Sequence, residues 1–156
     1  TLAELFFRFR PLCIFTQFNH VREISERSAE ALDILVRNGI PVFNQTVLLR
    51  GINNSADDLS SLFYRLIQLS VKPYYLFQGD LAAGTAHFRT NLMEGIDIME
   101  ELRKKMSALS LPLLAVDLPD GGGKALLDRG SVLKREDSSF YIKNNEGKIV
   151  AYPDEN

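Results

Sequence analysis

Tryptophan is absent from this chain, cysteine occurs once and histidine twice. The lone thiol, Cys13, has no partner for an intrachain disulfide, and no cysteine-ligated metal site can be built from it alone. Set in Leu12-Cys13-Ile14-Phe15, it is expected to be a small buried hydrophobe. His20 and His87 lack the i, i+4 spacing of a helical metal pair. Neither sign of charge dominates: 18 Lys and Arg against 20 Asp and Glu leave a net charge of −2. Phosphate-backbone binders carry a clustered basic face, so no nucleic-acid partner is expected. No apolar run approaches the roughly 20 residues that span a bilayer, and the first residues lack the order of a secretory leader. No membrane partner and a cytoplasmic setting are therefore expected.

What is present, 46% hydrophobic and 24% charged residues in 156, is ordinary for a single domain, here residues 1–156, with one sizeable core. The chain starts at Thr1, and Leu2-Ala3-Glu4-Leu5-Phe6-Phe7 reads like the interior of an element, so an upstream part is expected. Leu2, Leu5, Phe6 and Phe9 have helical spacing. Strand-like apolar runs follow at Pro11–Phe15, Pro41–Leu49, Tyr74–Gln78 and Leu111–Val116. Between them lie three helical stripes: Ser28, Leu32, Leu35 and Val36 after an N-cap at Ser25; Leu59, Leu62, Phe63 and Leu66 after Ser55; and Leu92, Ile96, Met99, Leu102 and Met106 after Thr90. Alternating strands and helices with short joins imply βαβ units around a parallel sheet, an open half-barrel or small open sheet. After Lys124 three short segments, 131–135, 139–143 and 148–152, are joined by turn residues and imply an antiparallel hairpin or meander. Residues 153–156 are expected to be loose.

Four groups of residues carry chemistry. Asp80 and Asp117 end successive strands, so both carboxylates project from one end of the sheet and would hold a cation between them. Each has a plainer alternative in capping the turn after it. Asp117-Leu118-Pro119-Asp120-Gly121-Gly122-Gly123-Lys124 puts an amine beyond a glycine turn. Leu118 and Ala125 stand where a Walker loop needs glycine and a hydroxyl, so this is not a nucleotide loop. The amine would suit covalent bonding to an aldehyde cofactor, or would simply be solvated. Arg50 and Arg89 would bind a carboxylate or phosphate, or pair on the surface. Tyr74, Tyr75 and Phe77 would stack on a planar ring, or fill core.

Asn19-His20, Gly39-Ile40-Pro41, Asn44 to Asn53, Lys72-Pro73-Tyr74-Tyr75 with Gln78 and Asp80, Gly84-Thr85 with His87-Phe88-Arg89-Thr90, and Asp117 with Pro119 and Gly121-Gly122-Gly123-Lys124 occur in this order. Together they resemble the C-terminal half of lysine 2,3-aminomutase, from about Pro11 to Pro153. The resemblance implies a radical S-adenosylmethionine enzyme that interconverts L-α-lysine and L-β-lysine with pyridoxal phosphate and a 4Fe-4S cluster. It implies a partial (β/α) barrel over residues 1–124 and a β extension over 125–156. By position, Lys124 matches the lysine bonded to pyridoxal phosphate, while Asp80 and Asp117 match the carboxylates that hold the ε-ammonium of substrate lysine. Gln45 and Asn19 match positions near S-adenosylmethionine, and Phe77 one beside the pyridoxal ring. Three positions depart from the family: Gln17 stands where it usually has histidine, Phe77 where it has tyrosine, and Asp120 where it has glycine. The Cys-x-x-x-Cys-x-x-Cys segment that holds the cluster is not in the chain. Alone the chain is expected to be inactive, its partners being L-lysine and an N-terminal half or partner chain, and self-association into a homo-oligomer is expected. A non-catalytic remnant and a relative making β-lysine for a translation factor are the alternatives.

Overall fold

The computed structural model describes residues 1–153. Its elements are α1 (Leu2–Arg8), β1 (Ile14–Thr16), α2 (Glu26–Arg37), β2 (Val42–Leu48), α3 (Ala56–Gln68), β3 (Val71–Gln78), α4 (Leu92–Lys105), β4 (Leu113–Leu118), β5 (Gly123–Leu126), β6 (Val132–Glu136), β7 (Ser139–Lys143) and β8 (Ile149–Pro153). Strands β1 to β4 pair parallel in chain order, and β5 adds antiparallel to β4. Strands β6, β7 and β8 form a separate antiparallel sheet.

Each helix begins where a polar side chain satisfies a free backbone N–H. Ser25 accepts from the Ser28 amide and Ser55 from the Asp58 amide. The third cap differs from expectation: Asn91, not Thr90, starts α4 by accepting from the Met93 amide. Thr90 is instead buried, and its carbonyl and hydroxyl accept from the Gln78 carboxamide.

Helices α2, α3 and α4 pack on β2, β3 and β4 respectively. In α3 the stripe Leu59, Leu62, Phe63 and Leu66 loses all contact with solvent, a burial worth about 1.5–3 kcal/mol per side chain. Where α4 crosses the sheet, Gly95 leaves room that a Cβ would take from Gln78 Oε1 and Leu48, 3.1 and 3.3 Å away. Strand alternation sorts the sheet into two faces. Along β2, Val42, Asn44, Thr46 and Leu48 are buried under the helices, while Phe43, Gln45 and Val47 are half-buried on the open face. Phe15, Leu113 and Leu126 share that open face and are substantially exposed.

Several expectations are corrected. Cys13 is exposed: it falls just before β1, which is itself an edge strand. Leu2, Leu5 and Phe9 are exposed as well, and from α1 only Ala3 is buried. Lys124 does not lie on a loop: the glycine turn leads into β5, so the main sheet continues to Leu126. The three-stranded meander appears as expected, and Pro153 belongs to β8. Residues 154–156, expected to be loose, lie outside the described residues. Among the described residues no helix is long and apolar enough to cross a membrane.

Candidate functional site

The C-terminal ends of β2, β3 and β4 open on a cleft of about 380 Å³, lined by Gln17, Gln45, Val47, Tyr75, Phe77, Gln78, Asp80, Asp117 and Lys124. Five of the six residues to which the resemblance gives a cofactor or substrate role therefore meet there: Gln45, Phe77, Asp80, Asp117 and Lys124. Asn19 does not line it. Its side-chain oxygen accepts from the Val47 amide at 2.8 Å and its carbonyl accepts from Asn53 at 2.7 Å, which fastens the segment after β1 to β2. Asn44 fastens the same segment from beneath, accepting from Thr16 and from the Phe18 amide while donating to the Phe18 carbonyl.

Lys124 and Asp117 are directly paired across the β4–β5 ladder, so their side chains leave the sheet on one face. Lys124 Nζ donates to Asp117 Oδ1 at 2.6 Å. The ammonium also stands 4.0 Å from the centre of the Phe77 ring and 5.3 Å from that of Tyr75, within the range of cation–π attraction. The Tyr75 phenol is pushed above its ordinary value, first by its hydrogen bond with Tyr74, then by burial, and then by the charges of Tyr74 and Asp117. It therefore keeps its proton at neutral pH. Asp80 is exposed just beyond β3, and among the described residues no side chain pairs with its carboxylate. The lining of this cleft holds two carboxylates and one ammonium, and Arg89 lies beside Asp80 in the adjoining cavity.

The turn before Lys124 explains its glycines. Asp120, Gly121 and Gly123 have φ of 53°, 71° and 72°. Gly122 has no such φ, but a Cβ on it would come within 2.8 Å of Leu118 Cβ and 3.2 Å of Val150. Asp120 fills a left-handed position where the resemblance expects glycine; a short polar side chain makes aspartate one of the few residues that visit this region.

Two residues that the sequence reading passed over hold the cleft walls from behind. Asn144, buried, donates to the Gly122 carbonyl at 2.7 Å, two residues before Lys124. The buried Tyr152 hydroxyl donates to the Gly79 carbonyl, one residue before Asp80. Nothing in the local sequence announces either bond, since the partners lie far apart along the chain.

The remaining candidates lie outside this cleft. His20 accepts from the Arg22 amide, and His87 is exposed beside Phe88. Arg89 joins Asp80 around an adjoining cavity of about 210 Å³, while Arg50 is exposed. A larger hollow of about 520 Å³ lies between α1 and the end of α2, lined partly by Arg8, Arg10 and Arg37. Arg10 there donates to the carbonyls of Asn38 and Gly39, and Arg37 pairs with Asp33. That hollow is a helix-end contact; the ionisable cluster belongs to the cleft.

Comparison with known proteins agrees with the motif order. The chain is 43% identical over 151 residues to a protein named putative L-lysine 2,3-aminomutase in Aquifex aeolicus, covering 97% of this chain and 41% of that protein. It is 39% identical over 153 residues to L-lysine 2,3-aminomutase of Bacillus subtilis, covering 98% and 32%. It is also 38% identical over 148 residues to glutamate 2,3-aminomutase of Clostridioides difficile, covering 95% and 35%. No family model matches the chain. The chain spans about a third to two fifths of the length of these curated relatives, a share in keeping with a C-terminal portion. Matched along nearly its whole length by proteins of that name, the chain belongs to the lysine 2,3-aminomutase family.

Proposed function

We propose that this chain is the C-terminal portion of a radical S-adenosylmethionine isomerase that interconverts L-α-lysine and L-β-lysine, and that its five-stranded sheet is part of a partial (β/α) barrel. The observation that carries the reading is the cleft itself, with the Lys124 amine and the Asp117 and Asp80 carboxylates gathered at the C-terminal ends of parallel strands, where α/β barrels do their chemistry.

The residues present fit pyridoxal phosphate at one end. Lys124 supplies an amine within a cleft walled by Phe77 and Tyr75, which suits a planar aromatic aldehyde. When bound, that group supplies a conjugated ring able to spread an unpaired electron beside the migrating nitrogen. Phe77 and Tyr75, tilted 40° to each other, offer aromatic faces to such a ring, and Asp117 and Asp80 hold the far ammonium of the substrate. Gln45 presents a carboxamide on the same wall, in the neighbourhood assigned to S-adenosylmethionine. A 4Fe-4S cluster does not fit: Cys13 is the only cysteine, whereas such clusters are held by several thiolates. In this reading the cluster, and the contacts to the cofactor phosphate and substrate carboxylate, come from a preceding segment or a partner chain.

The carboxylate pair sets the substrate class within a family that contains proteins named for lysine and for glutamate. An ammonium-ended side chain is attracted, whereas a carboxylate-ended one would face two like charges. The test treats the chain with pyridoxal phosphate, reduces with borohydride and maps the labelled peptide. Label on Lys124 is expected; label confined to other lysines would refute the cofactor role. Adding the remainder of the protein should give turnover of lysine and not of glutamate.

A further inference from the structure

Asp117 has two claimants. Its carboxylate accepts from Lys124 at 2.6 Å, yet the proposed reaction asks the same carboxylate to hold a substrate ammonium. We propose that Lys124 is the resident occupant of the ammonium site: its own charge competes with an alkylammonium ligand for Asp117, and the site opens when that charge is removed. This deepens the proposed function and rests on its assignment of Asp80 and Asp117 to ammonium binding.

The geometry favours competition over simultaneous binding. Asp117 and Lys124 are cross-strand partners in an antiparallel ladder, so the backbones cannot separate to accommodate a second cation without breaking β5 away from β4. Phe77 and Tyr75 hold the Lys124 ammonium from the other side, at 4.0 and 5.3 Å. A second ammonium brought to Asp117 would lie beside the first, and like charges at that separation repel. The Lys124 side chain can yield, by rotating away or by losing its charge. Asp80 lines the same cleft without a described side-chain partner, so it offers the incoming ligand a first foothold but not the full pair.

Loss of the charge has a chemical route. The Lys124 nitrogen adds to an aldehyde carbon, the carbonyl oxygen leaves as water, and a proton from the former ammonium passes to solvent. Once its proton is given up, the nitrogen bonded to such an aldehyde would carry no ammonium charge, and Asp117 would be released. Binding becomes ordered: the aldehyde goes first, and the ammonium ligand follows.

The test needs no aldehyde. The full chain is titrated with n-butylammonium, a monocation without a carboxylate, and binding is followed by NMR shifts of the Gln45 side-chain amide. Lys124→Met, which keeps the stem over Phe77 and removes the charge, should bind about 1.5- to fivefold tighter than the wild type, the range expected for a part-exposed ion pair. Lys124→Gln should do the same, giving a second charge-free variant if the first folds poorly. Lys124→Arg, which keeps the charge, should bind no tighter than the wild type. Asp117→Asn should weaken binding and abolish the gain in the double variant. Equal or weaker binding by both charge-free variants, or a gain that survives Asp117→Asn, would overturn the proposal. Label on Lys124 without that gain would sink the competition alone; the gain with label elsewhere would sink only the cofactor assignment.

Discussion

The two faces of the five-stranded sheet are built from the same strands, yet they obey different physics. Beneath the helices, Leu48, Leu59, Leu62, Phe63, Leu66 and Leu76 are fully buried. Across the backbone, the same strands carry an open aromatic band, in which a shift of register beside Asn44 and Gln45 brings in the consecutive Tyr74 and Tyr75. Phe15 stacks on Phe43 at 5.3 Å, Tyr74 meets both, and Tyr75 and Phe77 carry the row to Lys124. The first face is closed and holds the fold, while the second keeps its chemistry accessible. Substitutions should therefore separate cleanly by face.

The largest effect belongs to the closed face. Phe63→Ala should lower stability by about 3–5 kcal/mol, read from the urea unfolding midpoint. Asn44→Ala should come next, because it empties a buried position whose amide group bonds Thr16, Phe18 and Thr46. Each buried partner left unpaired costs about 1–3 kcal/mol, and the segment carrying Asn19 should gain mobility in amide exchange. On the open face, Asp117→Asn should alter stability by less than about 1 kcal/mol, since its ion pair is part-exposed. The same substitution should nevertheless reduce the preference for an ammonium ligand over its neutral alcohol analogue, leaving Asp80 as the remaining carboxylate of the cleft. A large loss of stability there would erase the contrast between the faces.

The smallest effect lies outside both faces. Arg129 bonds Glu100 and Asp97, tying the segment before β6 to α4. Its hydrogen bond, and then its charge, hold the Glu100 carboxyl below the ordinary value of 4.5. The resulting stabilisation is fully present above that value and is lost as pH falls through the lower folded value. Arg129→Ala should therefore lower stability slightly at neutral pH and leave it almost unchanged once pH has fallen through the lower folded value, so that the acid limb of the pH–stability curve becomes shallower.

Much of the closed face was legible because a helical stripe and a buried strand are repeating patterns. The α3 stripe is the clearest case, with every apolar residue named from the sequence lying at zero exposure. Patterns failed where a neighbour in space, not in sequence, decides. Thr90 and Asn91 are both good caps, and only the nearby Gln78 carboxamide selects between them. Cys13 sits in an apolar run, but it precedes the strand, and that strand is at an edge. Gly123-Lys124-Ala125-Leu126 is too short to read as a strand until β4 is seen beside it. In the cleft, strand ends gave the carboxylates, the glycine turn gave Lys124, the aromatic strand gave Phe77, and motif order gave Gln45. Asn144 and Tyr152 stayed invisible because each bonds a glycine carbonyl, which has no side-chain identity to match.

Those two bonds bear on the order in which a ribosome makes the molecule. Asp80, Asp117 and Lys124 are all polymerised before Asn144 and Tyr152, so the groups of the cleft emerge while the supports behind Gly122 and Gly79 are still unmade. A nascent chain can close the α3 core early, but it cannot fix the distance between its cleft walls until β8 has left the exit tunnel. The chemistry-bearing end of the sheet is therefore the last part of the described chain to be completed.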